Sequence, residues 1–226
     1  MEKRFVLKIS GKIIDPREPQ RIAGYSSVIK RLVDDGYRVA VVVGGGPYAR
    51  EYISCAKNLG FTDAQADIIG IEIARVNALL LAYALGEYGY IPIPRNIEDV
   101  YRAWSTGKVV VVGGLQPGQS TAAVAMVIAE SLGVRNVLYA TTVDGIYDKD
   151  PNKFSNAKKL NRISIDEVQK YISQRYEAGG YELLDPLAIG IAKRSCIEIT
   201  VFNGLQPENV FKALLHEIGT HVICHE

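Results

Sequence analysis

The stretch RVAVVVGGGPYAR, residues 38–50, admits few folds. From Val39 to Val43 the residues are apolar and mostly β-branched, with no polar alternation, which suits a strand buried on both faces. Three glycines stop the run, and Pro47 suits the first turn of a following helix. Strands of this kind occur where helices cover both sides of a mostly parallel sheet.

The rest of the chain repeats the pattern. Phe5 to Ile9 reads as a second buried strand. Between the two, Ile22, Ile29, Leu32 and Val33 recur at helical spacing, and Gly36 stands where a helix ends. Helices are predicted over 63–85, 97–104 and 121–132, with strands over 108–112 and 136–140. The stretch DGIYDKDPNKFSNAKKLNRIS, starting at Asp144, is polar and rich in turn residues. Helices are predicted again over 163–172, 186–193 and 207–217, with strands over 197–202 and 220–223. The expected fold class is α/β, a three-layer αβα sandwich with a central, mostly parallel sheet. With 226 residues, 48% of them hydrophobic, no repeat and no long linker, a single domain over 1–226 is expected. Its two lobes, about 1–135 and 136–226, should share one continuous sheet.

Charge excludes some partners. The 26 Lys and Arg balance 25 Asp and Glu to a net +1, so no electrostatic footprint favours nucleic acid or an anionic membrane. The segment MEKRFVLKISGK is interrupted by Lys8 and no run of 18 apolar residues follows, so neither signal peptide nor membrane span is expected. Cys55, Cys196 and Cys224 lie far apart without a CxxC pair, and a reduced cytoplasmic setting is expected.

Ligands of parallel sheets bind at the carboxyl ends of the strands, and four chain segments there carry suitable chemistry. After the first strand come Lys8, Ser10, Gly11 and Lys12: a cation that reaches phosphate oxygens and a glycine that lets backbone N–H groups approach them. After the second come Gly44, Gly45 and Gly46, with Arg50 expected on the first turn of the following helix to fork onto phosphate. A tight turn accounts for one or two of these glycines, but not for three with an arginine. The third segment, VVVVGGLQPGQST, brings Ser120 and Thr121 before a helix, as caps or as ligand contacts. The fourth, YATTVDGIYDKDP, ends a strand at Thr141 and Thr142 and turns at Asp144-Gly145, where a plain hairpin is the alternative. Neither GxxxxGK[ST] nor GxGxxG is present, which argues against P-loop and dinucleotide folds.

In order and spacing, KISGK, VVVGGGPYAR, GLQPGQST and ATTVDGIYDKDP resemble the amino acid kinase family, most closely its archaeal-type uridylate kinases, over nearly the whole chain. The resemblance implies a carbamate kinase-like fold and transfer of the γ-phosphoryl group of ATP, with Mg²⁺, to UMP in pyrimidine nucleotide biosynthesis. It implies that Lys8 and Arg50 are catalytic, and that Lys8, Ser10, Gly11, Lys12, Gly45, Arg50, Thr141, Tyr147 and Asp150 bind ATP. UMP would be held by Gly44, Asp67, Leu115, Gln116, Pro117, Gly118, Gln119, Ser120 and Thr121. Without the resemblance, Asp67 reads as an acid stabilised by the start of its helix. Many bacterial members carry an aspartate where this chain has Ala122, and no protein ligand to the metal is expected. The family also implies a homohexamer, a trimer of dimers, to which the apolar 63–85 helix would contribute a face.

Other members of the family phosphorylate carbamate, acetylglutamate or isopentenyl phosphate. The last of these use a histidine near the acceptor phosphate, and no histidine precedes His216 here. A non-catalytic nucleotide sensor on the same scaffold is the remaining alternative. His216, His221, His225 and Cys224 gather near the C-terminus, but HExxH fails at Thr220 and a metal site is not expected.

Overall fold

A computed structural model describes residues 3–149, 151, 154, 156–168 and 184–224. Seven strands, β1 (Arg4–Ile9), β2 (Arg38–Val43), β3 (Val110–Val112), β4 (Asn136–Thr141), β5 (Arg162–Ser164), β6 (Glu198–Asn203) and β7 (Thr220–Ile223), form one sheet in the order β3-β2-β1-β4-β6-β7-β5. From β3 to β6 neighbours are parallel; β7 runs antiparallel to β6 and parallel to β5. Five adjacent parallel strands, β3, β2, β1, β4 and β6, therefore deliver their carboxyl ends, and the loops that follow, to one edge.

The helices whose full extent is described are α1 (Pro19–Asp34), α2 (Gly46–Asn58), α3 (Asp63–Leu85), α4 (Ile97–Ser105), α5 (Thr121–Ser131), α6 (Pro186–Arg194) and α7 (Asn209–Leu214). Phe5, Leu7, Ile9, Val39, Val41 and Val43 bury one sheet face together with residues of α1, α3 and α7. Val6, Ala40, Val42 and Val137 bury the other with residues of α4, α5 and α6. Successive residues of β1 and β2 thus face opposite layers, and the αβα sandwich expected from two-sided strands is the fold observed.

α3 is the central support. Thr62 and Gln65 close a capping box at its start, and Ala66, Ala74, Ala78 and Ala82 are buried along it, letting backbone approach closely. By length and composition alone, 63–88 would cross a membrane; here the helix packs on α1, α2, β2 and β3.

Three expectations need correction. Residues 162–164 form β5, with the helix starting only at Ile165; of the predicted helix, 169–172 lie outside the described residues. The helix expected over 207–217 spans only Asn209–Leu214, because His216 takes a left-handed conformation, φ 58°, that stops it. Cys196 and Cys224 are joined in a disulfide, since antiparallel pairing of β6 with β7 brings together cysteines 28 residues apart.

Candidate active site

The first two loops interlock backbone to backbone. A Cβ on Gly11 would stand 2.1 Å from Gly46 N and 2.4 Å from Gly44 O, and one on Gly46 would stand 2.2 Å from Gly11 O. Only glycine fits at either position. Asn77, buried in the middle of α3, donates through Nδ2 to Gly44 O at 2.9 Å and Gly45 O at 3.3 Å. In a planar trans peptide the N–H points opposite to the C=O, so the Gly45 and Gly46 N–H groups point away from Asn77. Gly45 is right-handed (φ −75°, ψ −22°) and Gly46 has φ 69°, the succession that curls amides around an anion. Helix α2 starts here, with Pro47 in its first turn.

The third loop rests on α3 as well. A Cβ on Gly113 would meet Arg75 N at 2.6 Å, while the Arg75 guanidinium donates to Gly114 O at 3.1 Å and Leu115 O at 3.3 Å. Asp67 Oδ2 accepts from Gly118 N at 2.8 Å, one turn inside α3 rather than at its first residue. The segment 115–121, with exposed Gln116 and Pro117, is therefore fastened at both ends. Gln119 Oε1 is buried with no hydrogen-bond donor among the described residues. Thr121 Oγ1 would lie 3.3 Å from a Cβ on Gly44, so this loop meets the second.

Ser120 caps α5, accepting from Ala122 N at 3.1 Å and Ala123 N at 3.0 Å. Its hydroxyl donates to Asp185 Oδ2, and Asp185 caps α6 by accepting from Leu187 N at 2.9 Å and Ala188 N at 3.0 Å. Two helix N-termini, each with a positive dipole end, meet there.

Lys8 lies in β1 between Val42 and Tyr139, only 4% exposed. Burial lowers its ammonium from 10.5 to about 7. Ser10 N donates to Ala140 O at 3.0 Å, tying the first loop to β4, and Ser10 Oγ accepts from Lys12 N at 3.4 Å. Arg50 is not on the first turn of its helix, as the sequence suggested, because α2 already starts at Gly46. It is exposed at the start of the second turn of α2 and lines an outer groove of about 540 Å³ with Glu51, Ser54, Cys55, Asn58 and Leu59.

The fourth loop leaves β4 at buried Thr141. Asp144 Oδ1 accepts from Asn203 Nδ2 at 3.0 Å. A Cβ on Gly145 would collide with Thr220 Oγ1 at 2.4 Å. That oxygen, fully buried, accepts from Ile146 N at 2.8 Å and donates to Leu160 O, while Leu160 N donates to Ile146 O at 2.8 Å. One threonine thus closes the neck of the 146–160 segment. Tyr147 bridges to Lys159 within it; burial first, then the charge of Asp144, raises its phenol. Asp150 lies outside the described residues.

The C-terminal histidines form no metal centre among the described residues. The rings of His216 and His221 stack at 4.0 Å, Thr200 Oγ1 lies 3.3 Å from His216 Nδ1, and Cys224 is in the disulfide. His225 lies outside the described residues. Asn77, Arg75, Asp185, Tyr139 and Thr220 are not singled out by the sequence motifs. Asn77 and Arg75 had a signal, as polar residues inside an apolar helix, and Asp185 had one in its place before Pro186; Tyr139 and Thr220 had none.

The chain is similar to known proteins over nearly all its length. The family model "Amino acid kinase family" matches residues 3–203. The chain is 47% identical over 212 residues to a uridylate kinase of Hyperthermus butylicus, covering 94% of each chain. It is 43% identical to one of Sulfurisphaera tokodaii, covering 88% of this chain and 89% of that one. The crystal structure of uridylate kinase from Archaeoglobus fulgidus superposes with a TM-score of 0.87 at 35% identity, over 96% of this chain and 99% of that one. By the family model and by these relatives alike, the chain belongs to the amino acid kinase family and sorts with its uridylate kinases.

Proposed function

We propose that the chain is an ATP-dependent UMP kinase, transferring the γ-phosphoryl group of ATP to the phosphate of UMP to give UDP and ADP. The observation that carries this reading is the edge where Gly11, Gly44–Gly46, the 115–121 segment and Lys8 meet, in a chain 47% identical to a protein named uridylate kinase. Donor and acceptor phosphates repel each other. N–H groups of the glycine loops, the positive ends of α2, α5 and α6, and the Lys8 ammonium offset that repulsion. A phosphate oxygen of UMP attacks the γ-phosphorus as the bond to the ADP oxygen breaks. The acceptor is already ionised, so no general base is required.

In this reading Lys8, Ser10, Gly11, Lys12, Gly45, Arg50, Thr141, Tyr147 and Asp150 serve ATP, and Gly44, Asp67 and 115–121 serve UMP. Arg50 reaches the phosphates by swinging in from the α2 surface. Asp185, by fixing Ser120 and the α6 N-terminus, holds the acceptor side. The loops offer N–H donors and a cation, a donor set for anionic oxygens, so magnesium enters bound to ATP. The acceptor lobe is 1–135 and the ATP lobe 136–226. The work is cytoplasmic; a disulfide does not exclude this, because intracellular proteins of hyperthermophiles carry them too. The chain self-associates toward a hexamer of three dimers, for which α3 exposes Val76, Leu80 and Tyr83 at i, i+4 and i+7.

The test is ADP release with purified protein, MgATP and, in turn, UMP, CMP, carbamate and isopentenyl phosphate. Turnover is expected with UMP, and none on any nucleotide would end the proposal. Lys8→Met is expected to lower kcat by about 100- to 1,000-fold, the scale of one lost transition-state contact. Unchanged turnover would remove Lys8 from the chemistry.

A further inference from the structure

Lys8 has an unusual partner for a buried ammonium. Its Nζ lies 3.9 Å from the centroid of the Tyr139 ring, and Tyr139 is itself 5% exposed. The two residues are directly opposite in the parallel β1–β4 pair. Among the described residues, the other elements packed on Lys8 bring no charge to it. On β2 its neighbour is Val42, and α5, which packs on β1, opens with Thr121, Ala122, Ala123 and Val124. The only ionisable residue of α5, Glu130, is at its far end, held by Arg194 and Ser195. Asp185, at the neighbouring α6 N-terminus, is engaged by Ser120.

A carboxylate beside Lys8 would hold the cation firmly, but it would also cancel the charge that phosphate needs and compete with it. An aromatic face attracts the cation through its quadrupole and brings no net charge. We propose that Tyr139 is a positioning residue of the phosphoryl-transfer site, its ring face holding the Lys8 ammonium in the nucleotide-free enzyme until a phosphate takes it over. This rests on the kinase reading above for its purpose, but not for its geometry.

Burial lowers Lys8 to about 7, and the ring face, which favours the charged form, acts against that fall. Lys8 acts as ammonium, so kcat/KM falls as pH rises through its pKa. Loss of the ring face moves that fall to lower pH.

Two readouts test the proposal on wild type, Tyr139→Phe and Tyr139→Leu. The first is a ¹³Cε NMR titration of Lys8 in the nucleotide-free protein, assigned with Lys8→Met. The second is the pH profile of kcat/KM for MgATP. Tyr139→Phe is expected to match wild type, and Tyr139→Leu to lower the Lys8 pKa, and with it the basic limb, by about one unit. Well below the wild-type pKa the profiles converge. Where Tyr139→Leu fails to fold, fluorinated phenylalanines at position 139 keep the volume and weaken the face, and the Lys8 pKa is expected to drop stepwise with fluorine number. A Lys8 titration indifferent to residue 139, or Tyr139→Phe behaving as Tyr139→Leu, would overturn the proposal. A shifted titration in a protein whose Lys8→Met variant keeps full activity would leave the ring partnership standing and defeat the kinase role of Lys8 instead.

Discussion

The two ends of the site are held together by different means. Around β1–β3, backbone lies on backbone: Gly11 against Gly46, Gly113 against α3, with Asn77 and Arg75 binding loop carbonyls from below. Around β4–β7, the neck of the 146–160 segment is held by a side-chain oxygen, that of Thr220, together with a short backbone ladder between 146–148 and 158–160. The first kind of construction leaves no room for any other residue and no freedom for the loops. In the second, a side chain from a distant strand spans the neck, beside the backbone bond from Leu160 N to Ile146 O.

Three substitutions would break or sharpen this contrast. Gly11→Ala puts a methyl where main chain already stands, and overpacking against unyielding atoms is expected to cost about 3 kcal/mol, read as a lower urea midpoint with activity lost. Asn77→Leu keeps the volume of the side chain but strands two loop carbonyls, for about 2 kcal/mol and a higher KM for both substrates. Thr220→Val is expected to cost only about 1 kcal/mol, to raise KM for ATP while leaving KM for UMP alone, and to speed hydrogen exchange at Ile146. Were Thr220→Val as damaging as Gly11→Ala, the two ends would be equally rigid and the distinction would fall.

The same contrast explains what was legible from sequence. Two-sided strands advertise their layers, so the αβα sandwich and the boundaries of α3 could be read from residue type alone. Gly11 and Gly44–Gly46 were legible because close backbone approach excludes every other residue. β5 was not, since Arg162-Ile163-Ser164 is three residues long with one buried side chain. Nor was the end of α7, where apolar spacing continues past the point at which His216 turns the chain. Thr220 and Tyr139 have ordinary strand residue types, and only the sheet register shows what they face. The Cys196–Cys224 bond likewise follows from the pairing of β6 with β7, not from any spacing along the chain.

The position of β7 in the sheet has a consequence for how the protein is made. A ribosome releases the chain from its N-terminus, so β1 to β4 and the interlocked glycine loops are available to assemble while later residues are still being joined. β7 is synthesised after every other described element, yet it is wedged between β6 and β5 and carries Thr220. The Thr220 tie across the neck of the 146–160 segment is therefore missing until residue 220 has been joined. In a nascent chain the β1–β3 end matures first, and the β4–β7 end closes only after residue 220 has cleared the exit tunnel.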